Sequence, residues 1–391
     1  MPVNKKTVLV YRNELLPVSE TFIKEQILAL KDWRAVLVGR ERLDGLPLDD
    51  LSIRIIGAAS SAFSSRAFWK AHRLLRITPS RIKRSLEAEA PSLVHAHFGP
   101  DALDAWPLAR ALNLPMLVTL HGYDINTYRD WWEAGNAGAI MRSYPKRLLE
   151  LASEPRVSFI AVSEAIRRRA IEFGISGGKV RVRYIGINST KFRPGVTPIT
   201  QRDPRVLFVG RLVEKKGCQY LIEAMSIVQN NVPTAQLIIV GSGPLRERLE
   251  HLARKLGVNS NFRGSQSSAY IKQELDAARV FCLPSVTAAS GDAEGLPISI
   301  LEAQAAGVPV VTSARGAVGE AVKHRVSGLV VRERDVPGLA SELLTLLTVD
   351  NLASEISTGG IRSAASAFDC GILTSKLEST YDEVSLLKTQ R

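Results

Sequence analysis

Two glutamates and the short loop beside them are the first residues whose types and spacing suit a chemical role. Glu294 opens the run Glu-Gly-Leu-Pro that ends at Pro297, directly before a predicted helix. Gly295 lets the backbone approach a ligand closely, and the free N–H groups of a first helical turn attract an anion such as phosphate. Glu302 follows Glu294 by eight residues, about two turns, so both carboxylates are predicted to face one cleft. An acidic cap and a solvated helix carboxylate are the alternative interpretation.

Two cations form a second candidate group. Arg211 follows a predicted strand that ends at Gly210, and Lys216 precedes Gly217 at the start of a predicted helix. A planar guanidinium and a compact ammonium together suit a diphosphate. Solvated loop cations are the alternative, but a position at the carboxyl end of a strand favours binding. The nearby run Gly-Ser-Gly-Pro at 241–244 lacks a third glycine, so a tight turn explains it.

Histidines dominate the candidates in the first half. His121 stands at the carboxyl end of a predicted strand, where it suits hydrogen bonding to a phosphate or hydroxyl, or proton transfer. Asp124 is placed to orient it, although a packed histidine is an equal alternative. His95 and His97 alternate along a strand and therefore share one face. No third ligand follows at a suitable spacing, so structural or cleft-lining roles are favoured over a zinc site.

Two further segments have simple structural alternatives. Ser19 suits a helix N-cap and Glu20 a first turn, and that helix start is predicted to point into the same cleft. Residues 66–84 interleave seven cations with aromatic and aliphatic side chains. This segment suits either a basic amphipathic surface on an anionic membrane or an ordinary helix packed on its domain.

Two parallel sheets are needed to position these residues. Short apolar runs alternate with amphipathic helical stretches, as in doubly wound α/β domains with both sheet faces covered. A linker is predicted near 193–204, where Pro and Gly interrupt the pattern. The predicted strands are 7–11, 35–38, 53–56, 93–97, 116–120, 159–162 and 180–184, then 206–209, 236–240, 280–283, 309–312 and 328–331.

Length and composition narrow the class of protein. A chain of 391 residues favours two domains, and no apolar run reaches the length needed to span a bilayer. The start resembles a strand lead-in rather than a signal peptide, and three scattered cysteines favour a reducing cytosol. Residues 1–200 hold 30 basic and 19 acidic side chains, so most of the net charge of +12 lies there. An anionic partner is therefore expected for the first half.

These segments, in this order, resemble the glycosyltransferase family 4 enzymes of the GT-B fold. The resemblance is strongest over 205–331 and also covers 90–190, where it points to the bacterial exopolysaccharide branch of the colanic-acid type. It implies two Rossmann-like domains facing across a cleft. The implied ranges are 1–197 for an acceptor-binding domain, 198–368 for a nucleotide-sugar-binding domain and 369–391 for a helix that crosses back to the first.

The resemblance also implies the roles of individual residues. Arg211 and Lys216 would bind the donor diphosphate, and Glu302 the ribose hydroxyls. The implied enzyme is retaining and needs no metal, in keeping with the lack of an Asp-x-Asp element. The implied contacts to the sugar and phosphate are Glu294, Gly295, Leu296 and Pro297, and those to the base are Gly264 and Ser265. The implied acceptor-side residues are Ser19, Glu20, His97, His121 and Asp124, with His121 beside the donor sugar. The implied catalytic residues are Glu294, His121, Arg211 and Lys216.

The expected activity is transfer from a UDP- or GDP-sugar to a lipid-linked oligosaccharide or polysaccharide hydroxyl, at the inner face of the cytoplasmic membrane. Two departures from the family pattern stand out. Residues 17–21 stand where many relatives carry a glycine-rich loop, which argues against phosphate contacts from the first domain. Residues 315–320 stand where many relatives carry a Gly-x-Pro-Glu-like turn. A nucleotide-sugar epimerase or phosphorylase of the same fold is one alternative. A basic nucleic-acid-binding protein is another, supported only by charge, because no nucleic-acid motif is present.

Overall fold

The structure, a computed structural model, describes residues 5–42, 45–57, 78–313 and 316–387. The chain divides into two units, Met1–Tyr184 with Gly371–Arg391, and Ile185–Cys370. The expected linker near 193–204 lies inside the second unit. Ile187 explains the difference, since its N–H donates to Phe368 O (2.8 Å) and its carbonyl accepts from Cys370 N (2.9 Å). This pairing ties the segment after Tyr184 to the second unit.

In the described residues, the first unit is built on a parallel sheet of seven strands in the order β3-β2-β1-β4-β5-β6-β7. Its central strands are apolar and buried on both faces, as expected where helices cover a parallel sheet. The strands are β1 Lys6–Tyr11, β2 Trp33–Gly39, β3 Ile53–Ile55, β4 Pro91–His97, β5 Met116–Leu120, β6 Val157–Ala161 and β7 Val180–Val182.

The helices of this unit connect successive parallel strands, and several begin at the carboxyl end of a strand. Those that fall in the described ranges are α1 Thr21–Leu28, α2 Ser80–Glu87, α3 Gly99–Ala111, α4 Tyr123–Asn126, α5 Arg129–Glu133, α6 Tyr144–Ser153 and α7 Glu164–Phe173.

The second unit has a parallel sheet of six strands in the order β10-β9-β8-β11-β12-β13. The sequence pattern missed β10. This strand lies at the edge of the sheet and reads Ser-Asn-Phe-Arg-Gly, without the apolar run that marks a buried strand. The strands are β8 Arg205–Val209, β9 Gln236–Val240, β10 Ser260–Gly264, β11 Val280–Leu283, β12 Val310–Ser313 and β13 Leu329–Val331.

A long helix at 350–367 was also absent from the sequence-based prediction. Gly359 and Gly360 in its centre weaken the helical pattern, but a Cβ at Gly359 would lie 1.7 Å from Val326 O. The glycines therefore allow close packing rather than a break. The helices of the unit are α8 Cys218–Asn231, α9 Arg246–Lys255, α10 Ser268–Ala277, α11 Ile298–Ala305, α12 Val318–Ala321, α13 Val336–Thr348 and α14 Asp350–Ala367.

The last helix, α15 (Cys370–Ser385), packs on the first unit. Leu377, Tyr381 and Val384 join the hydrophobic core around β1. The buried carboxylate of Glu378 accepts hydrogen bonds from the backbone N–H groups of Lys31, Asp32 and Trp33, at 2.9, 2.7 and 3.0 Å. One side chain thus satisfies three donors at the start of β2 and fixes the helix on the unit.

The basic segment 66–84 lies mostly outside the described residues. Its described end contains α2, where Arg81 and Arg84 are exposed and Leu86 is buried. Within the described ranges, no helix combines the length and apolar character that crossing a membrane requires.

The Glu378 contact predicts an uneven effect of two substitutions on α15. Glu378→Ala should lower the free energy of unfolding by about 3 kcal/mol, because three backbone N–H groups, that of Trp33 buried, lose their shared acceptor. Glu383→Ala removes only an exposed ion pair with Arg181 and should cost less than about 1 kcal/mol. Urea denaturation of both variants tests this, and equal losses would contradict the assigned role of Glu378.

Candidate active site

The order of the second sheet reverses between β8 and β11, and the loops after these strands meet there. In open parallel sheets, ligands bind at the carboxyl ends of strands at such a reversal. Lys216, from the loop after β8, forms an ion pair with Glu294, from the loop after β11 (Nζ–Oε1, 2.7 Å). The Ser285 hydroxyl donates to the same carboxylate oxygen (2.8 Å).

Burial and neighbouring charges together shift the pKa values of Lys216 and Glu294. The Lys216 side chain is 15% exposed and that of Glu294 is 7% exposed. Burial lowers the pKa of Lys216, the nearby cations Lys215 and Arg211 lower it further, and Glu294 acts in the opposite direction. Burial would raise the pKa of Glu294, but Lys216 and Lys215 outweigh it and hold this pKa below its usual range. Glu294 is therefore a carboxylate at neutral pH.

The two loops are locked together by backbone contacts. A Cβ at Gly217 would lie 1.8 Å from Pro284 O, so only glycine fits, and its φ of +65° also favours glycine. Val286 N donates to Lys215 O (2.8 Å). The ammonium of Lys215 binds Asp292 at 2.9 Å. Lys215 therefore holds the loop in place, and Lys216 is the cation that faces Glu294.

Two further loops, after β9 and β10, continue this edge of the sheet. Leu212 N donates to Ser242 O (2.9 Å), Gly241 N to Gly264 O (2.8 Å), and Ser265 N to the Ser242 hydroxyl (3.1 Å). These bonds bring Gly264 and Ser265 beside the turn that follows β9.

The turn after β9 contributes more than its sequence suggested. A Cβ at Gly241 would lie 1.9 Å from Gly210 O, and one at Gly243 would lie 2.4 Å from Leu212 O. These glycines let the turn pack against the loop that carries Arg211, whose side chain is exposed. The turn therefore has a packing role beside Arg211, although the sequence, which lacks a third glycine, indicated only a tight turn.

The loop after β11 runs into α11. Gly295, Leu296 and Pro297 are buried, and Pro297 directly precedes the first helical residue. Its carbonyl accepts from Ile300 N (3.0 Å). Glu302 is partly buried within the helix.

The candidate histidines of the first unit form one stacked group. His97 Nδ1 and His121 Nε2 are hydrogen bonded at 3.0 Å, with ring centroids 5.2 Å apart. His95 lies 4.4 Å from His97 between centroids, which confirms that the two share a face of β4. Both nitrogens of His95 are already used, by Tyr381 OH and the Thr119 hydroxyl, each at 2.7 Å.

All three imidazoles are neutral. Burial lowers the pKa of His95 to about 3. Burial also lowers the pKa values of His97 and His121 well below their usual range, and the Arg12 guanidinium adds to the effect. Phe22 and Phe98 pack on the His121 ring, with centroid distances of 5.3 and 4.3 Å.

Asp124 does not contact the His121 ring. Its carboxylate is fully buried and accepts the backbone N–H groups of Gly99 (3.0 Å), His121 (3.1 Å) and Gly122 (2.9 Å). It therefore orients the backbone around His121, instead of the imidazole as the sequence suggested.

Arg12, immediately after β1, is the residue that the sequence reasoning missed. Its guanidinium binds both oxygens of Glu20, at 2.9 and 2.6 Å, and also binds Asp101. It lies 4.5 Å from the Phe98 ring centroid. The rule that singled out Arg211, a cation just past a buried strand, also applies to Arg12 and was the available signal.

The predicted N-cap at Ser19 is wrong. Ser19 is exposed within a short 3-10 helix, Val18–Glu20, and α1 begins at Thr21 without a side-chain cap. Glu20 stands at the N-cap position of α1, but its carboxylate binds Arg12 and makes no cap hydrogen bond.

The described residues contain no group of three or more His, Cys, Asp and Glu side chains arranged to hold a metal ion.

Comparison with known families explains why these features occur together. A model described as glycosyl transferases group 1 matches residues 190–362, and one described as Glycosyltransferase Family 4 matches residues 42–191. The chain belongs to the family 4 glycosyltransferases. Together, the two matches cover most of each unit.

Named relatives agree with this assignment. The chain is 29% identical over 274 residues to the amylovoran biosynthesis glycosyltransferase AmsK of Erwinia amylovora, covering 69% of this chain and 65% of that protein. It is 29% identical over 259 residues to the putative colanic acid biosynthesis glycosyltransferase WcaL of Escherichia coli strain K12, covering 65% and 61%. The chain thus spans less than two thirds of these relatives.

The fold of this chain also matches a solved structure. A crystal structure of Anabaena HepE in complex with UDP and glucose aligns with a TM-score of 0.79 at 18% identity, covering 97% of this chain and 100% of that one. The predicted α/β class, GT-B with two doubly wound parallel-sheet domains, is confirmed.

The Lys216–Glu294 pair predicts a pH-dependent loss of stability. Glu294→Gln should lower the free energy of unfolding at pH 7 by about 3 kcal/mol, since Lys216 is left buried and unpaired. A lowered folded-state pKa stabilises above the unfolded value, so the difference should shrink as the pH falls through the folded pKa of Glu294. Urea denaturation between pH 7 and pH 3 measures this.

Two further variants control that measurement. Lys216→Met with Glu294→Gln should recover part of the loss, because no buried charge remains unpaired. Glu247→Gln, exposed on α9, should change stability by less than about 0.5 kcal/mol. A Glu294→Gln variant as stable as the Glu247 control at pH 7 would refute the pairing.

Proposed function

We propose that this glycosyltransferase moves a sugar from a UDP- or GDP-sugar to a hydroxyl of a lipid-linked oligosaccharide or polysaccharide, with retention and without a metal ion. The Lys216–Glu294 pair at the β8/β11 reversal carries the proposal. A buried ammonium and carboxylate, held by loops that need glycine, form a preorganised polar site where family 4 enzymes are expected to bind their donor. The AmsK and WcaL similarities support a role in exopolysaccharide biosynthesis.

The donor diphosphate is assigned to Arg211 and Lys216. Arg211 is exposed beside the Lys216 loop, and its charge acts on Lys216. A diphosphate placed there would gain two cations, and Glu294 would exchange part of its contact with Lys216 for the sugar hydroxyls. The positive charge stabilises the leaving group in place of a metal ion.

The remaining donor contacts follow the loops along the sheet edge. Gly264 and Ser265 lie beside the β9 turn and are assigned to the base. Glu302 is assigned to the ribose hydroxyls, and the backbone at 295–297 to the sugar and phosphate.

In the reaction, the acceptor oxygen forms a bond to the anomeric carbon on the face from which the diphosphate departs. The bond from that carbon to the phosphate oxygen breaks, and the acceptor proton passes to the leaving phosphate. His121 is assigned to the donor sugar and Ser19 to the acceptor side, where the buried His97 acts through its hydrogen bond to His121. Glu20 and Asp124 support these residues from buried positions, through Arg12 and through backbone N–H groups.

Association with the cytoplasmic leaflet is part of the proposal, because a lipid-linked acceptor would reside there. Its support is the excess of basic residues in the first half, including the exposed Arg81 and Arg84 on α2.

Substitution of the two cations tests the donor assignment. Arg211→Ala and Lys216→Ala should each lower kcat/KM for sugar transfer by about a hundredfold, because each removes charge that stabilises the leaving diphosphate. A panel of UDP- and GDP-sugars with a polyprenyl-diphosphate-linked acceptor identifies the substrate pair. Arg248→Ala, exposed on α9, is the matched control and should retain activity.

Three outcomes would contradict this proposal. Wild-type transfer by both cation variants would remove the diphosphate assignment. Release of nucleoside diphosphate that does not require an acceptor would favour hydrolysis, and interconversion of the donor sugar alone would favour an epimerase.

Membrane association has its own test. The protein should sediment with vesicles containing anionic phosphatidylglycerol at low salt and be released at about 0.5 M salt, where charges are screened. Arg81→Glu with Arg84→Glu should weaken binding, whereas Arg248→Glu with Arg254→Glu makes the same charge change on α9 and should not. Equal weakening by the two pairs would assign binding to net charge rather than to this surface.

A further inference from the structure

The hydrogen bond between His97 and His121 has a chemical consequence that depends on where the protons lie. Two neutral imidazoles share this bond, so one ring donates and the other accepts. If His97 Nδ1–H donates, then His121 Nε2 accepts and the proton of His121 lies on Nδ1. If His121 Nε2–H donates, then both rings carry their proton on Nε2.

The surroundings of the two rings distinguish these states. His95 cannot serve as a further partner, because Tyr381 and Thr119 occupy both its nitrogens. Within the described part of the chain, His97 Nε2 and His121 Nδ1 have no hydrogen-bond partner. His97 is 2% exposed, whereas His121 is partly exposed.

Burying an unpaired N–H is costly, and such groups are rare in folded proteins. The state with both protons on Nε2 would leave an unpaired N–H on His97, which solvent reaches far less than His121. The state with both protons on Nδ1 places the only N–H of His97 in the bond and leaves the unpaired N–H on His121, where solvent or a ligand reaches it.

We propose that His97 is a positioning residue that fixes His121 in the Nδ1–H tautomer, so that His121 presents a hydrogen-bond donor to an oxygen of the bound sugar substrate. Phe22 and Phe98 on the ring and Asp124 on its backbone hold the imidazole in place. The identity of the ligand rests on the proposed transferase function, but the tautomer does not.

The tautomer is tested directly on the unmodified protein. The chain has six histidines, so long-range ¹H–¹⁵N correlation of a ¹⁵N-histidine-labelled sample is tractable. His→Gln variants at the other positions help to assign the signals. At pH 7, both His97 and His121 should show a pyrrole-type Nδ1 and a pyridine-type Nε2. A pyridine-type Nδ1 on His121, or a doubly protonated ring, would overturn the proposal even if sugar transfer is confirmed.

Variants at position 97 test the consequence for activity. His97→Asn keeps an amide donor near the Nδ1 position and should retain transfer within about threefold, with the His121 tautomer unchanged. His97→Phe removes the donor and should lower kcat by about tenfold or more, with a change in the His121 signals. Unchanged activity and an unchanged His121 tautomer in His97→Phe would overturn the proposal.

Two controls separate positioning from structural damage. Tyr381→Phe should alter the His95 signals and leave the His121 tautomer as it is. Binding of UDP or GDP, whichever the donor panel selects, should be unchanged in all His97 variants, since neither nucleotide carries the sugar. If no transfer is detected in the wild-type protein, the proposed function fails while the NMR result still decides the tautomer.

Discussion

The close approach of the loops after β8 and β11 is the contact on which the second unit's site depends. Gly217 passes so near Pro284 O that any side chain would collide with it, and Val286 N joins the loops through Lys215 O. Lys216 reaches Glu294 only because the backbones are this close. Leaving either buried charge unpaired would lower the stability of the fold, so the ion pair in turn holds the two loops together.

The first unit repeats this geometry with a different outcome. In both sheets the first and fourth strands are neighbours, and a cation from the loop after the first contacts a carboxylate beyond the fourth: Arg12 with Asp101, and Lys216 with Glu294. Arg12 is fully engaged by two carboxylates and packs on Phe98. It serves as a scaffold for the histidine group, whereas the second unit keeps Arg211 exposed beside its buried pair.

Most strands were predictable because a parallel sheet covered on both faces needs continuous apolar runs, which are visible in the sequence. The edge strand β10 lacks such a run and was missed, and α14 was missed because Gly359 and Gly360 resemble a helix break. Both errors have one cause, because they depend on contacts with residues far away in the sequence. A local pattern does not show which strand an edge strand pairs with, or which backbone a glycine packs against. The linker prediction failed similarly, because Ile187 pairs with residues far along the chain.

The sequence by itself determined the doubly wound class, the family resemblance and nearly all candidate residues, since these depend on residue type and short spacing. Tertiary structure alone decided their partners. It showed that Glu20 binds Arg12, that Asp124 holds backbone rather than a ring, and that His97 bonds to His121. The His97–His121 bond, like those from Gly99 N to Asp124 and from Arg12 to Asp101, joins the ends of different strands. The strand order that makes these ends neighbours is set by packing of the whole sheet, not by any local pattern.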